Sequence, residues 1–399
     1  MSPAARLRLF YFAYYGSVGA YLPYFAAYLR GLGFSGEQIG TVQMMSPLVA
    51  VPAAIAWATA ADRLGAPARA LRVATAWSVA AFLLLPFARS PWVVGAVLLV
   101  HALGDRAVIP LVDSVAIEWA RSAPGATYAR IRLFGSLGYV AVAQGLGLLL
   151  MARGDLPGDP LVPAAVVACV AAYALAARRL PAPSPPATRP RLPEMLGLLR
   201  SRPLLLFLAA CAVHWAATAP FHLLFGVRVR DLGLPAGVTG LGMAVGVGAE
   251  VLALLAYQRV EGRLSLRAIL ATSFAVSALR WLLLSRTSAV VPLVALQLLH
   301  AFTFGLFWGG AIQAMSRLVP SRLRATGQAL LSAIVFGLGN AAGYQLSGLG
   351  YDRYGSVAPL FGWAAAVEVV ALAVLLAIGR GLERPGPGDD RAGRAVAPG

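Results

Sequence analysis

The chain of 399 residues contains no lysine, two cysteines and four histidines, and only 12% of its residues are charged. A soluble globular chain carries about 25% charged residues, so a soluble domain of this length is excluded. Cys169 and Cys211 both fall inside apolar runs, which excludes a disulfide framework. The histidines His101, His214, His222 and His300 are scattered over three apolar runs. There is no glycine-rich phosphate loop with lysine, no cysteine pair at metal spacing and no Gly-x-Ser-x-Gly elbow. ATP-driven chemistry is thereby excluded, and no catalytic residue, metal or cofactor is expected.

What is present is hydrophobic: 59% of the residues, with a mean hydropathy of +0.74. Apolar stretches recur end to end, each long enough for a hydrocarbon core of about 30 Å. Only helices satisfy their own backbone over such runs, so the chain reads as an all-α polytopic membrane protein. Twelve spans are expected, at roughly 9–30, 40–61, 70–88, 92–120, 130–152, 160–178, 203–226, 237–258, 268–285, 289–315, 324–346 and 356–378. The first carries Pro23 and no small-residue cleavage site, which marks a retained helix and not a secretory signal.

The net charge of +17 comes entirely from arginine. Arg6, Arg8, Arg63, Arg69, Arg72, Arg178, Arg179, Arg259, Arg263, Arg267, Arg317 and Arg322 gather on one set of loops. Arg30, Arg89, Arg153, Arg228, Arg230, Arg286 and Arg353 lie on the other, sparser set. The asymmetry places both termini in the cytoplasm of a multi-pass inner-membrane protein. The basic charge is therefore topological and not a footprint for nucleic acid.

The chain divides in two. An Arg- and Pro-rich segment from Arg178 to Arg191 cannot span, giving an N-terminal six-helix bundle (1–180), a cytoplasmic linker (181–202), a C-terminal bundle (203–380) and a disordered tail (381–399). Short motifs repeat between the halves. Arg30-Gly-Leu32-Gly33 and Gly40 match Arg230-Asp-Leu232-Gly233 and Gly240; Arg63-Leu64 matches Arg263-Leu264; Arg130-Ile-Arg132-Leu-Phe-Gly135 matches Arg322-Leu-Arg324-Ala-Thr-Gly327. Three matches in one order point to a parallel duplication, two pseudo-symmetric six-helix bundles.

Ionisable residues inside spans are costly and mark functional sites. Asp113 sits within the fourth span, and Arg130 and Arg132 open the fifth, so Asp113 and Arg132 can face one another. A purely structural account has both arginines snorkelling to the surface. His101 and Asp105 lie four apart on one helix face, with Asp113 further along, a possible proton path; Arg106 beside Asp105 serves equally well as a local neutralising charge. Glu118 and Arg121 fall near the cytoplasmic end. In the second half Glu250 lies about 20 Å along its helix at 1.5 Å per residue. It follows Gly240, Gly242, Gly246 and Gly248, which permit close helix packing. No basic residue lies within a turn of Glu250, so its partner comes from elsewhere, Arg280 or His300. Glu368 is an unexpected carboxylate in the last span. The rings of Tyr21, Tyr24, Trp215, Trp281, Phe304 and Trp308 suit either packing or stacking on a solute.

Twelve spans, the linker, and Asp62-Arg63-Leu64-Gly65 between spans two and three resemble the major facilitator superfamily. That family's loop motif has glycine four residues before the Asp and a basic residue directly after the second glycine; here these are Ala58 and Ala66, with Arg69 slightly later. The pattern Gly19-Ala-Tyr21-Leu-Pro23-Tyr-Phe25, Asp113, Arg130-Ile-Arg132, Glu250, Arg280 and Leu299-His300 resembles more closely the lactose permease and phenylpropionate permease branch. The resemblance implies substrate contacts at Asp113 and Arg132; Arg280 is expected to face the same substrate from the other half, and Tyr21 to stack on it. It also implies a proton-coupling network of Glu250, Arg280 and His300, with Asp105 added from the helix-face reading, and conformational gating through Asp62, Arg63, Gly65 and Arg69. Where the lactose permease has a further glutamate three residues after the histidine, this chain has Thr303. In place of that family's lysines it has Gln297 and Phe336, so the full sugar–proton relay is absent.

The expected function is alternating-access symport of a small organic solute with protons, an organic and preferably aromatic acid first. A sugar or nucleoside symporter is the alternative, and proton-driven efflux fits the same fold. A non-transporting receptor or scaffold is a different class, one that would tolerate Asp113→Asn and Glu250→Gln. The expected partners are a small-molecule substrate, protons and the lipid bilayer, with the protein acting as a monomer.

Overall fold

The computed structural model describes residues 2–63, 67–106, 108–122, 127–180, 192–378 and 382. Its helices build twelve crossings. Ten are long and apolar enough to span singly, and Leu161–Ala177 is a shorter eleventh. The remaining crossing, α1, is broken into Pro3–Tyr21 and Phe25–Gly31. Then come α2 (Gly36–Arg63), α3 (Pro67–Phe82), α4 (Pro91–Asp105 and Val108–Ser122), α5 (Tyr128–Ala152) and α6 (Leu161–Ala177). The second half comprises α7 (Arg202–Asp231), α8 (Ala236–Glu261), α9 (Leu266–Arg286), α10 (290–318), α11 (324–354) and α12 (Ala358–Ala377). Residues 181–191 of the expected linker and most of the expected tail lie outside the described residues; within the linker's range, Leu192–Leu198 forms a short helix.

Local chemistry sets the ends. Ser2, Ser90, Thr127 and Ser265 each accept a hydrogen bond from a backbone N–H in the first turn of the helix they precede. Pro23 interrupts α1, whereas Pro47 and Pro52 are absorbed inside α2. The repeated Arg-x-Leu-Gly motif proves to be a helix C-cap. Gly33 (φ 91°) and Gly233 (φ 68°) adopt the left-handed conformation. In each copy the following residue's N–H reaches back five positions, Phe34 to Leu29 and Leu234 to Val229. That closure needs a residue tolerant of positive φ, which is why glycine recurs there.

Packing repeats with the sequence. In the first half α1 packs on α5, α2 on α4, and α3 on α6; in the second, α7 packs on α11, α8 on α10, and α9 on α12. The bundles join through the exchanged pairs α2–α11 and α5–α8. Leu252 and Leu255 of α8 and Leu346 of α11 project outward with large exposed areas, the surface lipid would cover.

Alternation puts the N-terminus and the 61–67 and 261–266 turns on one side, the terminal face, and the 31–36, 153–160 and 231–236 turns on the other, the distal face. Between the bundles the distal face is shut. The Asp352 carboxylate accepts from the N–H groups of Gly36 (2.6 Å) and Glu37 (2.8 Å) at the start of α2. Asp155 accepts from the Ala236 N–H at the start of α8 (3.3 Å). Each carboxylate thus meets the positive end of a helix in the opposite half. Arg230 donates to the Ala27 carbonyl (3.2 Å) and Thr41 to Gln345 (3.0 Å). Glycine lets the helices touch: a Cβ on Gly348 would sit 2.2 Å from the Gly36 carbonyl, and one on Gly240 2.8 Å from that of Ala143. Gly348→Leu is therefore expected to hold the distal face open. In detergent, maleimide labelling of a Gln345→Cys reporter lacking the native cysteines should quicken by about tenfold, as a population shift of that size requires; unchanged labelling would show that the close contact does not seal the face.

Candidate functional site

The structure gathers Glu250, His300 and Arg280 from three helices. The Arg280 Nη1 lies 3.1 Å from His300 Nδ1, Nη2 donates to Gln297 Oε1 at 2.5 Å, and His300 Nε2 is 3.5 Å from a Glu250 carboxylate oxygen. Guanidinium only donates, so His300 Nδ1 accepts and the ring proton sits on Nε2, facing Glu250. Arg280 is fully buried, with its Cζ 4.5 Å from the Phe221 ring centroid and 4.6 Å from that of Trp281. Around His300 the α10 backbone departs from α-geometry, a 3₁₀ turn at Leu296–Leu299 followed by a π-helical stretch at Ala301–Leu306. Such irregularities concentrate at functional positions. Gly305 lets α10 close on α8, where a Cβ would fall 2.7 Å from that of Ala253.

A second ionisable pair lies deeper in the same bundle. Glu368 of α12 and His214 of α7 are both fully buried, 2.9 Å apart, with Trp281 Nε1 donating to the carboxylate at 3.1 Å. His214 Nε2 is 3.0 Å from the Thr303 carbonyl, which can only accept. Nε2 therefore carries a proton, and a second proton is shared between Nδ1 and Glu368. One dyad thus ties α7, α9, α10 and α12 together, and Glu368 points into the bundle core. His214 carried no signal beyond being a lone polar ring in an apolar helix.

In the N-terminal bundle Asp113 and Arg132 do not form a direct ion pair within 4.0 Å among the described residues; both meet Tyr11 instead. The Tyr11 hydroxyl donates to Asp113 (2.5 Å), and the Arg132 guanidinium lies over the Tyr11 and Tyr15 rings, 3.8 Å from the Tyr15 centroid. The Tyr11 side chain is thus the link between them. Arg132 of α5 and Glu250 of α8 stand on the two helices that pack together across the bundle interface. Asp105 is held by the hydroxyls of Tyr14 (3.0 Å) and Tyr173 (3.1 Å), with His101 at 4.0 Å on the same helix face. Tyr21 donates to Gln43 and stacks on Phe25. Of the gating motif, Gly65 and the side chains of Asp62 and Arg63 lie outside the described residues, and Arg69 is exposed on the terminal face.

Between the halves is a cavity of about 890 Å³. Its walls include Tyr14, Tyr21, Gln43 and Arg106 from the first bundle, and His222, Gln328, Asn340 and Tyr344 from the second. It extends from Tyr21 and Phe82, beneath the distal seal, to Ala54, Ile55 and Gln328 near the terminal ends of α2 and α11. Tyr21 belongs to this lining, whereas Arg280 stands inside the C-terminal bundle.

Two pseudo-symmetric six-helix bundles, closed together on one side around a central cavity, have the architecture of a multi-pass membrane transporter. The chain belongs to the MFS_1-like family, whose model matches residues 4–362. It is accordingly a permease of the major facilitator superfamily and not an enzyme. It is 29% identical over 374 residues to the maltose permease of Geobacillus stearothermophilus, covering 92% of this chain and 93% of that one. It is 28% identical over 309 residues to a probable 3-phenylpropionic acid transporter of Escherichia coli K12, covering 75% and 78%. The fold superposes on the nucleoside transporter NupG with a TM-score of 0.81 at 16% identity, over 95% of this chain and 99% of that one. A bacterial homolog of the human lysosomal transporter Spinster, solved inward-facing and unoccupied, gives 0.67 at 13% identity, over 95% of each chain.

Proposed function

We propose that the protein is a proton-coupled secondary transporter of a small organic acid, preferably one with an aromatic body, working by alternating access between its two bundles. The observation that carries this reading is Glu250. It is a mid-membrane carboxylate whose nearest ionisable partner is a neutral imidazole, while the adjacent arginine is occupied by that imidazole and by Gln297. A carboxylate out of water favours its neutral form, so a group so placed loads a proton when no cation is close and yields it when one approaches. Arg132, across the bundle interface, is the cation whose distance to Glu250 changes when the bundles rock. Asp105 and His101 are the second place for a proton, and Asp113 with Arg132 forms a polar station that the solute passes near the terminal face. Arg280 serves the coupling chain by fixing the His300 tautomer.

By the arginine asymmetry the terminal face is cytoplasmic, both termini with it, and the structure corresponds to a state open to the cytoplasm of an inner-membrane protein. The protein works as a monomer, since each chain holds a whole cavity. A sugar or nucleoside is the second reading. It is favoured by the amides and hydroxyls of Gln43, Gln328, Asn340, Ser46 and Ser332 on the cavity wall and by the relative named a maltose permease.

A thermal-shift screen of the purified protein against aromatic acids, sugars and nucleosides tests the class of solute, because a ligand stabilises only the state that binds it. Stabilisation by acids supports the reading, and stabilisation by sugars or nucleosides alone replaces it. Arg132→Lys is expected to lower uptake by about 100-fold while the protein still inserts and folds, because ammonium does not reproduce guanidinium stacking and planar donation. Transport at the wild-type rate in that variant would remove Arg132 from the mechanism.

A further inference from the structure

Two helices lose regular geometry at the same depth, on opposite walls of the central cavity. The span Pro91–Arg121 has 31 residues and Arg106 at its midpoint. There the segment Pro91–Asp105 ends in a turn at Arg106, and Val108–Ser122 completes the crossing. Pro110 explains the break: it lacks the N–H that would bond the Arg106 carbonyl. The span Thr326–Tyr354 has 29 residues and Asn340 at its midpoint, where the π-helical stretch Ser332–Gly339 returns to α-helix. Irregular backbone at membrane depth persists where it is enclosed by protein or lines a cavity.

The side chains at these two positions are incompletely partnered. Arg106 lines the cavity; its Nη2 donates to Ser46 Oγ at 2.6 Å, and its Nε has no partner. Asp105, its neighbour in sequence, is turned to Tyr14 and Tyr173. No carboxylate lies within ion-pair distance of Arg106 among the described residues. Asn340 donates to the Phe336 carbonyl at 3.1 Å, and its Oδ1 is buried without a partner. A guanidinium at the bilayer midplane with no anion is costly, so the wall is electrostatically incomplete until an anion arrives. The rings of Tyr14, Tyr21, Phe82, Phe336 and Tyr344 line the same cavity and suit a flat apolar body.

We propose that Arg106 is the anion-binding residue of the central cavity, receiving the carboxylate of a small aromatic monocarboxylic acid, with Asn340 holding the opposite side of the ligand. The assignment rests on the organic-acid reading above and gives it a site. Guanidinium donates two parallel N–H groups to a carboxylate and has no equivalent match for a carboxamide. Asp113, Arg132 and Arg280 then act on either side of the binding event and not in the first contact with the charged group.

The test is binding of 3-phenylpropionate and of its neutral carboxamide to the purified full-length protein, by calorimetry or thermal shift. The wild type should bind the acid and discriminate against the carboxamide by at least about tenfold. Arg106→Gln should lose about 100-fold for the acid while leaving the carboxamide unchanged, as expected when one partner of a buried charge pair is removed. Arg106→Lys should retain part of the affinity, Asn340→Ala should lose several-fold, and Arg259→Gln, on the exposed terminal end of α8, should bind as the wild type does. Should Arg106→Gln not fold, the acid–carboxamide discrimination of Arg106→Lys decides, since it should shrink but keep its sign. Wild-type affinity for the acid in Arg106→Gln, or equal binding of acid and carboxamide by the wild type, would overturn the assignment while leaving an acid transporter intact. A wild type that binds only sugars or nucleosides would overturn the acid reading itself.

Discussion

Glu250→Gln is expected to abolish accumulation driven by a pH gradient, leaving less than about 1% of the wild-type gradient, while exchange of labelled for unlabelled solute continues. Glutamine is nearly isosteric and still accepts a hydrogen bond from His300 Nε2, 3.5 Å from the present carboxylate, so the helix contacts between α8 and α10 survive. What disappears is the only group in the Glu250–His300–Arg280 chain that is both titratable over an accessible range and not tied to a cation. Arginine keeps its proton, and His300 has Nδ1 committed to Arg280. Exchange needs the bundles to rock with solute bound and needs no net proton movement. Counterflow measured beside pH-driven uptake separates the two. Loss of both activities would make Glu250 part of the solute site, and retention of both would move the proton site elsewhere, with Asp105 the first alternative.

Glu368→Ala is expected to destabilise the protein by about 3–5 kcal/mol, the scale for breaking a buried pair and stranding its partner. Two buried groups lose their partner at once, His214 Nδ1 and Trp281 Nε1. Because His214 also stacks on Phe274 at 4.7 Å and reaches the Thr303 carbonyl, the disturbance spreads to the π-helical stretch of α10. Replacing both members, His214→Phe with Glu368→Leu, should recover much of the loss, since well-packed apolar groups do about as well as a buried ion pair. Denaturant titration in detergent checks the order, single variant well below double. Equal stability of Glu368→Ala and wild type would show that the dyad does not hold the four helices together.

How far the sequence reached is itself explained by these residues. The twelve crossings and the two halves were legible because apolar length and helix-end chemistry are local: the same Leu-Gly cap closes α1 and α7 with the same hydrogen bonds. Glu250, Arg280 and His300 were legible because a lone charge in an apolar helix has to be met by another one. The His214–Glu368 dyad was not, since its members are 154 residues apart and only packing of α7 on α12 joins them. Nor was the Tyr11 bridge between Asp113 and Arg132, because a phenol in a span reads as an apolar ring until its hydroxyl is placed. The fourth span read as continuous although Pro110 stands in it; Pro47 and Pro52 leave α2 unbroken, so a proline alone does not say where a helix parts. The cavity between the halves depends on the angle of the bundles, which no local pattern encodes.

The proposed function requires that solute movement be coupled to protons through the C-terminal bundle. Its most direct test is uptake of radiolabelled 3-phenylpropionate into proteoliposomes with an imposed pH gradient, set against protein-free liposomes to subtract passive weak-acid partitioning. Protein-dependent accumulation above the passive level, collapsed by a protonophore and absent with Glu250→Gln, is expected. Protein-dependent uptake that equilibrates at the passive level and ignores the gradient would contradict it.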